Sequence, residues 1–157
     1  MPFRDLRRHL ANIHRILDRV QPSRSGQDGT AIATGLSQSL SSLAKAARVQ
    51  GLTTYCSLSL HVLEQLASAR RTGYLPVDTR AVLHDWMRLS WTYLIAPANP
   101  AHAAELIEHM GSRRWERPVC HIQRQALLES LKMEALQLAL LHKGYARPSA
   151  LHSMCQS

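Results

Sequence analysis

The chain is expected to fold as an all-α antiparallel four-helix bundle with additional flanking helices, and three features of its sequence carry that expectation. Apolar residues recur at alternating three- and four-residue spacings in most segments, which is the helical period. The apolar content, 45% of 157 residues, is mainly Leu and Ala, both strong helix formers, while aromatics contribute only 5%. Most Pro and Gly residues stand between the periodic stretches, where they punctuate rather than interrupt. The length suits one domain able to bury a continuous core.

Taken in order, the first helix carries Phe3, Leu6, Leu10, Ile13, Leu17 and Val20 on one stripe, with Arg on its other faces. Pro22, Gly26 and Gly29 then mark 22–30 as a flexible linker. A second helix over 31–50 places Ile32, Leu36, Leu40, Leu43 and Ala47 inward, and Gly51 fits its C-cap. A third follows at once, with Leu52, Tyr55, Leu63 and Leu66 buried, and closes near Gly73. Helices two and three should therefore pair as an antiparallel hairpin. Pro76 precedes a fourth helix capped by Asp78 or Thr79, with Val82, Trp86, Leu89, Tyr93 and Leu94 at helical spacing. Pro97 and Pro100 end it. A short helix with Leu106, Ile107 and Met110 stops at Gly111, and a last one over 119–142 buries Ile122, Leu127, Leu128, Leu131, Leu138 and Leu141. The expected organisation is one bundle domain over 1–144: an N-terminal helix (1–21), the linker, and a core with its C-terminal helix (31–143). Residues 145–157 should form a flexible tail.

Composition excludes several classes. No apolar run approaches the roughly 20 residues that span a bilayer, and the charged N-terminus is followed by no apolar core, so neither membrane insertion nor a secretory signal is expected. Cys56, Cys120 and Cys155 form no metal or disulfide pattern and fit reduced thiols in the cytoplasm. The formal net charge is +8, and since 3 of the 19 basic residues are Lys, the other 16 are Arg. Such a balance suits an acidic protein partner or nucleic acid.

A search for chemistry finds little. His9 and His14 do not stack on one helix face. His102 and His109 lie two turns apart, with Glu105 and Glu108 beside them, and a solvated face is the preferred reading. Cys120 and His121 are adjacent and so diverge by about 100° on a helix. No nucleophile elbow, phosphate loop or dinucleotide fingerprint occurs. His61 is expected to be a packed or capping histidine. Neither catalytic residues, metal ligands nor a cofactor are expected.

One stretch carries more information: Ser41-Ser42-Leu43-Ala44-Lys45-Ala46-Ala47-Arg48-Val49-Gln50-Gly51-Leu52. It resembles the phosphoacceptor helix of histidine phosphotransfer (HPt) domains, whose pattern is His-x-x-Lys-Gly-x-Ala with a further Gly ten residues after the His. Laid on this chain, the pattern puts Ser41 at the His, Ala44 at the Lys and Lys45 at the Gly, while Ala47 and Gly51 match. The stretch from His61 to Glu64 is similar to the family's next helix. Asp85-Trp86 through Tyr93-Leu94, Pro97, then Trp115 and Pro118, resemble the degenerate HPt-like domains of type IV pilus chemosensory kinases and related scaffold proteins. Together these cover about 32–131.

That resemblance implies a four-helix frame without its chemistry. A serine ester is stable where a phosphohistidine is labile, and Lys45 adds bulk where a small Gly admits the partner. The expectation is a catalytically silent adaptor in bacterial two-component or chemosensory signalling, without His–Asp phosphotransfer. Ser41, Ala44, Lys45 and Arg48 would face a receiver domain or chemosensory kinase, and the Arg-rich first helix could pair with a second copy. The alternative is a small basic regulator that binds nucleic acid through its Arg-rich helices.

Overall fold

The computed structural model describes residues 3–19 and 26–142. Within them all regular structure is helical: α1 (Arg4–Asp18), α2 (Gly26–Val49), α3 (Thr53–Gln65), α4 (Ala67–Thr72), α5 (Val77–Ile95), α6 (Pro100–Met110) and α7 (His121–His142). The tail, and residues 20–25 of the first helix and linker, lie outside the described residues.

Neighbouring helices trace a closed ring. α1 packs on α2, α2 on α3, α3 on α7, α7 on α6, α6 on α5, and α5 returns to α1, while the short α4 sits against α2 and α3. The N-terminal helix is a full member of this ring and not an arm beside a four-helix core. Its stripe of Leu6, Leu10, Ile13 and Leu17 is almost wholly buried in one cluster with residues of the other long helices. A ring of six helices encloses a wider interior than four do, and the largest side chains fill it. Tyr55 of α3 stacks on Trp86 and Tyr93 of α5 at centroid separations of 6.0 and 5.9 Å, spanning helices whose backbones do not touch. Three of the eight aromatics thus sit where reach is needed.

Local signals set most boundaries. The α2–α3 turn is a Schellman motif: Gly51 (φ 84°) donates to the Arg48 carbonyl and Leu52 to that of Ala47 at 2.9 Å. Asn99 caps α6 by accepting from the Ala101 N–H at 3.0 Å, with Pro100 in the first turn, where no N–H is missed.

Three boundary expectations and two burial expectations need correction. α2 begins at Gly26, five residues before the expected start, because extending a formed helix costs far less than nucleating one. The third helix breaks at Leu66, whose N–H turns to the Leu63 carbonyl at 3.1 Å, so α4 is a separate segment. Pro76 occupies the N-cap of α5 with no side-chain cap, which places Asp78 and Thr79 inside the first turn. Ile122 is 78% exposed rather than buried, because the inward stripe of α7 runs through Leu127, Leu131, Ala135 and Leu138 and leaves Ile122 off its line. Leu141 is exposed as well.

Candidate functional site

On α2, successive residues advance about 100°, and that rotation sorts the four expected contact residues. Ser41 is half-buried at the edge of the outward face, and Lys45 and Arg48 are exposed one and two turns further along it. Ala44 is the exception to the expected set. It is 2% exposed and packs in the core beside Leu43 and Ala47, so it supports the face from beneath without touching a partner. The rest of the outward strip consists of Gln38 and Ser42, ending at Val49. It is therefore narrow and polar over its middle turns, with two cations towards the C-terminal end, where the helix dipole favours positive charge.

His61 is a positioning histidine on α3. Its Nε2 lies 3.1 Å from the Arg117 carbonyl, which also accepts from Gln65 Nε2 at 3.1 Å. The Arg117 N–H donates in return to Gln65 Oε1 at 2.8 Å. Together they pin the connection between α6 and α7 to α3. From α7, Glu134 Oε1 accepts the Thr54 N–H at 2.6 Å, satisfying an otherwise orphaned donor in the first turn of α3.

His102 and His109 do not form a ligand set with Glu105 and Glu108: both glutamates face solvent, whereas the histidines are half-buried. The His109 ring meets Trp115 edge-on at 5.6 Å. Burial holds its pKa below the ordinary imidazole value; Asp85 opposes that shift, and Arg114 and Arg88 add to it. Burial likewise raises the pKa of the Tyr55 and Tyr93 hydroxyls, so both stay neutral. Cys56 is half-buried and Cys120 exposed, both as free thiols.

The seam between α1 and α5 holds what sequence spacing missed. A groove of about 660 Å³ runs along it, lined by Leu10, His14, Arg15, His84, Arg88 and Trp91 among others. At one end His14 Nδ1 lies 3.0 Å from Asp18 Oδ2, and His84 Nε2 lies 4.0 Å from Asp18 Oδ1. The two rings meet edge to face at 5.5 Å. The i, i+4 pair His14–Asp18 was legible in the sequence, but His84 arrives from a helix far along the chain.

Several Arg side chains are engaged within the fold. Arg7 lies over the Trp91 ring at 5.7 Å, Arg15 donates to Asn12, Arg114 pairs with Asp85 at 3.0 Å, and Arg124 donates to the Val119 carbonyl at 2.7 Å. On α7, Met133, Leu136 and Leu140 are turned outward. No helix among the described residues is long and apolar enough to cross a membrane.

Compared with protein-family models, curated proteins and solved structures, the chain matches none.

Proposed function

We propose that this chain is a non-catalytic docking module, a silent HPt-like adaptor that receives an acidic protein partner on the outer face of α2. The observation that carries this reading is the strip Gln38–Ser41–Ser42–Lys45–Arg48, which is accessible along one side of a long helix whose other side is locked in the core. Lys45 with Arg48 supply charge complementarity that fixes orientation and speeds encounter, while the bulk of Lys45 keeps a partner from the close approach that phosphotransfer needs. A receiver domain, with carboxylates gathered at its phosphorylation site, or a chemosensory kinase is the partner class that the HPt resemblance suggests. The four-helix HPt frame and the link to type IV pilus signalling rest on that sequence resemblance. At the acceptor position, Ser41 offers a hydroxyl whose phosphate ester would be too stable to pass the group on, which argues against a relay.

The nucleic-acid alternative draws on Arg content, and the internal engagement of Arg7, Arg15, Arg114 and Arg124 reduces the set free to meet phosphates. Incubation of the full chain with a phosphorylated receiver domain, followed by intact-mass and peptide mass spectrometry, tests the silent reading. Complex formation without added phosphate is the expected result. Phosphate on Ser41 or His61 would replace the silent adaptor with an active phosphotransfer protein.

A further inference from the structure

We propose that His14, Asp18 and His84 form a binding site for a divalent transition ion of the zinc class, which clips the N-terminal helix α1 to α5. The donor atoms of all three lie within 4.8 Å of one another, and the two measured separations to Asp18 are 3.0 and 4.0 Å. Donors about 2.0–2.2 Å from a tetrahedral zinc ion stand roughly 3.3–3.5 Å apart, so the observed spread brackets the required one. Small side-chain rotations close the difference, and side-chain exposures of 57%, 55% and 35% for His14, Asp18 and His84 leave room for them.

Chemistry narrows the ion. Two imidazoles and one carboxylate match zinc, nickel, cobalt or copper, whereas calcium and magnesium require mostly oxygen ligands. The surroundings reinforce that choice. Arg15, Arg80 and Arg88 line the grooves that meet at His84, so long-range charge does not draw cations in. Binding must come from direct bonds to nitrogen, which a hard cation forms poorly. Three protein ligands leave a fourth position for water.

The physical consequence is a tether between elements distant in sequence. α1 is joined to the rest of the chain through residues outside the described set, and its hold on α5 comes from packing, from Arg7 over the Trp91 ring and from this cluster. An ion bound here and not to the unfolded chain stabilises the closed ring by mass action.

The test uses the full chain stripped by chelator. Isothermal titration with zinc chloride should give one site per chain, thermal denaturation in its presence a higher melting temperature, and His84→Ala should weaken the affinity by roughly tenfold or more. A Cys56→Ser/Cys120→Ser/Cys155→Ser variant should bind as the unmodified chain does. Cobalt loading of the unmutated protein should give d–d absorption of a nitrogen–oxygen site without a thiolate charge-transfer band, a readout that does not depend on any variant folding. Absence of one-to-one binding, a thiolate band, or affinity unchanged by His84→Ala would overturn the proposal.

Discussion

The Gln65 side chain holds the backbone of Arg117 from both sides, donating to its carbonyl at 3.1 Å and accepting from its N–H at 2.8 Å. Gln65 is 3% exposed, so this two-pronged clamp is sheltered from competing water. It fixes where the α6–α7 connection lies on α3, and therefore where α7 closes the ring. Gln65→Ala removes both bonds and orphans the Arg117 N–H, while His61 Nε2 still lies 3.1 Å from the carbonyl, at an expected cost of about 1–3 kcal/mol. Gln65→Glu keeps the acceptor but buries a carboxylate oxygen against the Arg117 carbonyl, so its denaturation midpoint should fall at or below that of the alanine variant.

Gly35 is a helix-interior glycine that the fold does not require. A Cβ there would meet only the Ile16 Cδ1 of α1, at an ordinary 3.7 Å. Gly35→Ala should therefore raise stability by about 0.5–1 kcal/mol through helix propensity and a less flexible unfolded chain. Gly111 is the opposite case, because a Cβ there would run into the Arg124 side chain, which donates to the Val119 carbonyl. Gly111→Ala should lower stability, and urea denaturation of the two variants side by side checks both signs.

The legibility of the fold follows from where its determinants sit. Gly51 and Gly111 announce helix ends because the backbone chemistry needed there is local, and those ends fell as read. Pro100, read as part of the stop to the fourth helix, instead opens α6 behind an Asn99 cap that went unread. The break at Leu66 has no local signal. Leu66 is fully buried and Gln65 is committed to Arg117, so tertiary packing decides it. The ring was hidden for the same reason: the stripe of α1 is visible in sequence, but nothing local says that it closes against α5. At the candidate docking face, the residues were read from resemblance to a motif. Lys45 and Arg48 lie outward and Ser41 at the edge, while Ala44, in helical phase with Leu40 and Ala47, lies inside. His84 joins His14 and Asp18 only through the α1–α5 contact, which no spacing rule encodes.

His109 gives the fold a pH dependence of defined sign. Its folded-state pKa is held below the ordinary value of 6.5, so the unfolded chain takes up the proton first as pH falls. Its contribution is therefore fully present above about 6.5 and is lost progressively as pH drops from there towards the folded-state value. Melting temperatures between pH 8 and pH 5, with His109→Gln for comparison, should show a shallower acid slope in the variant.

The most direct measurement of the central claim is a titration of the full chain against a purified receiver domain, beside its Lys45→Glu/Arg48→Glu variant. Both residues are exposed, so the variant should fold normally and serve as a surface probe. The docking account expects saturable binding that persists at moderate salt, and the double charge reversal should weaken it by roughly tenfold or more. Binding unaffected by the double reversal would contradict it. So would affinity found only for duplex DNA, falling steeply with salt.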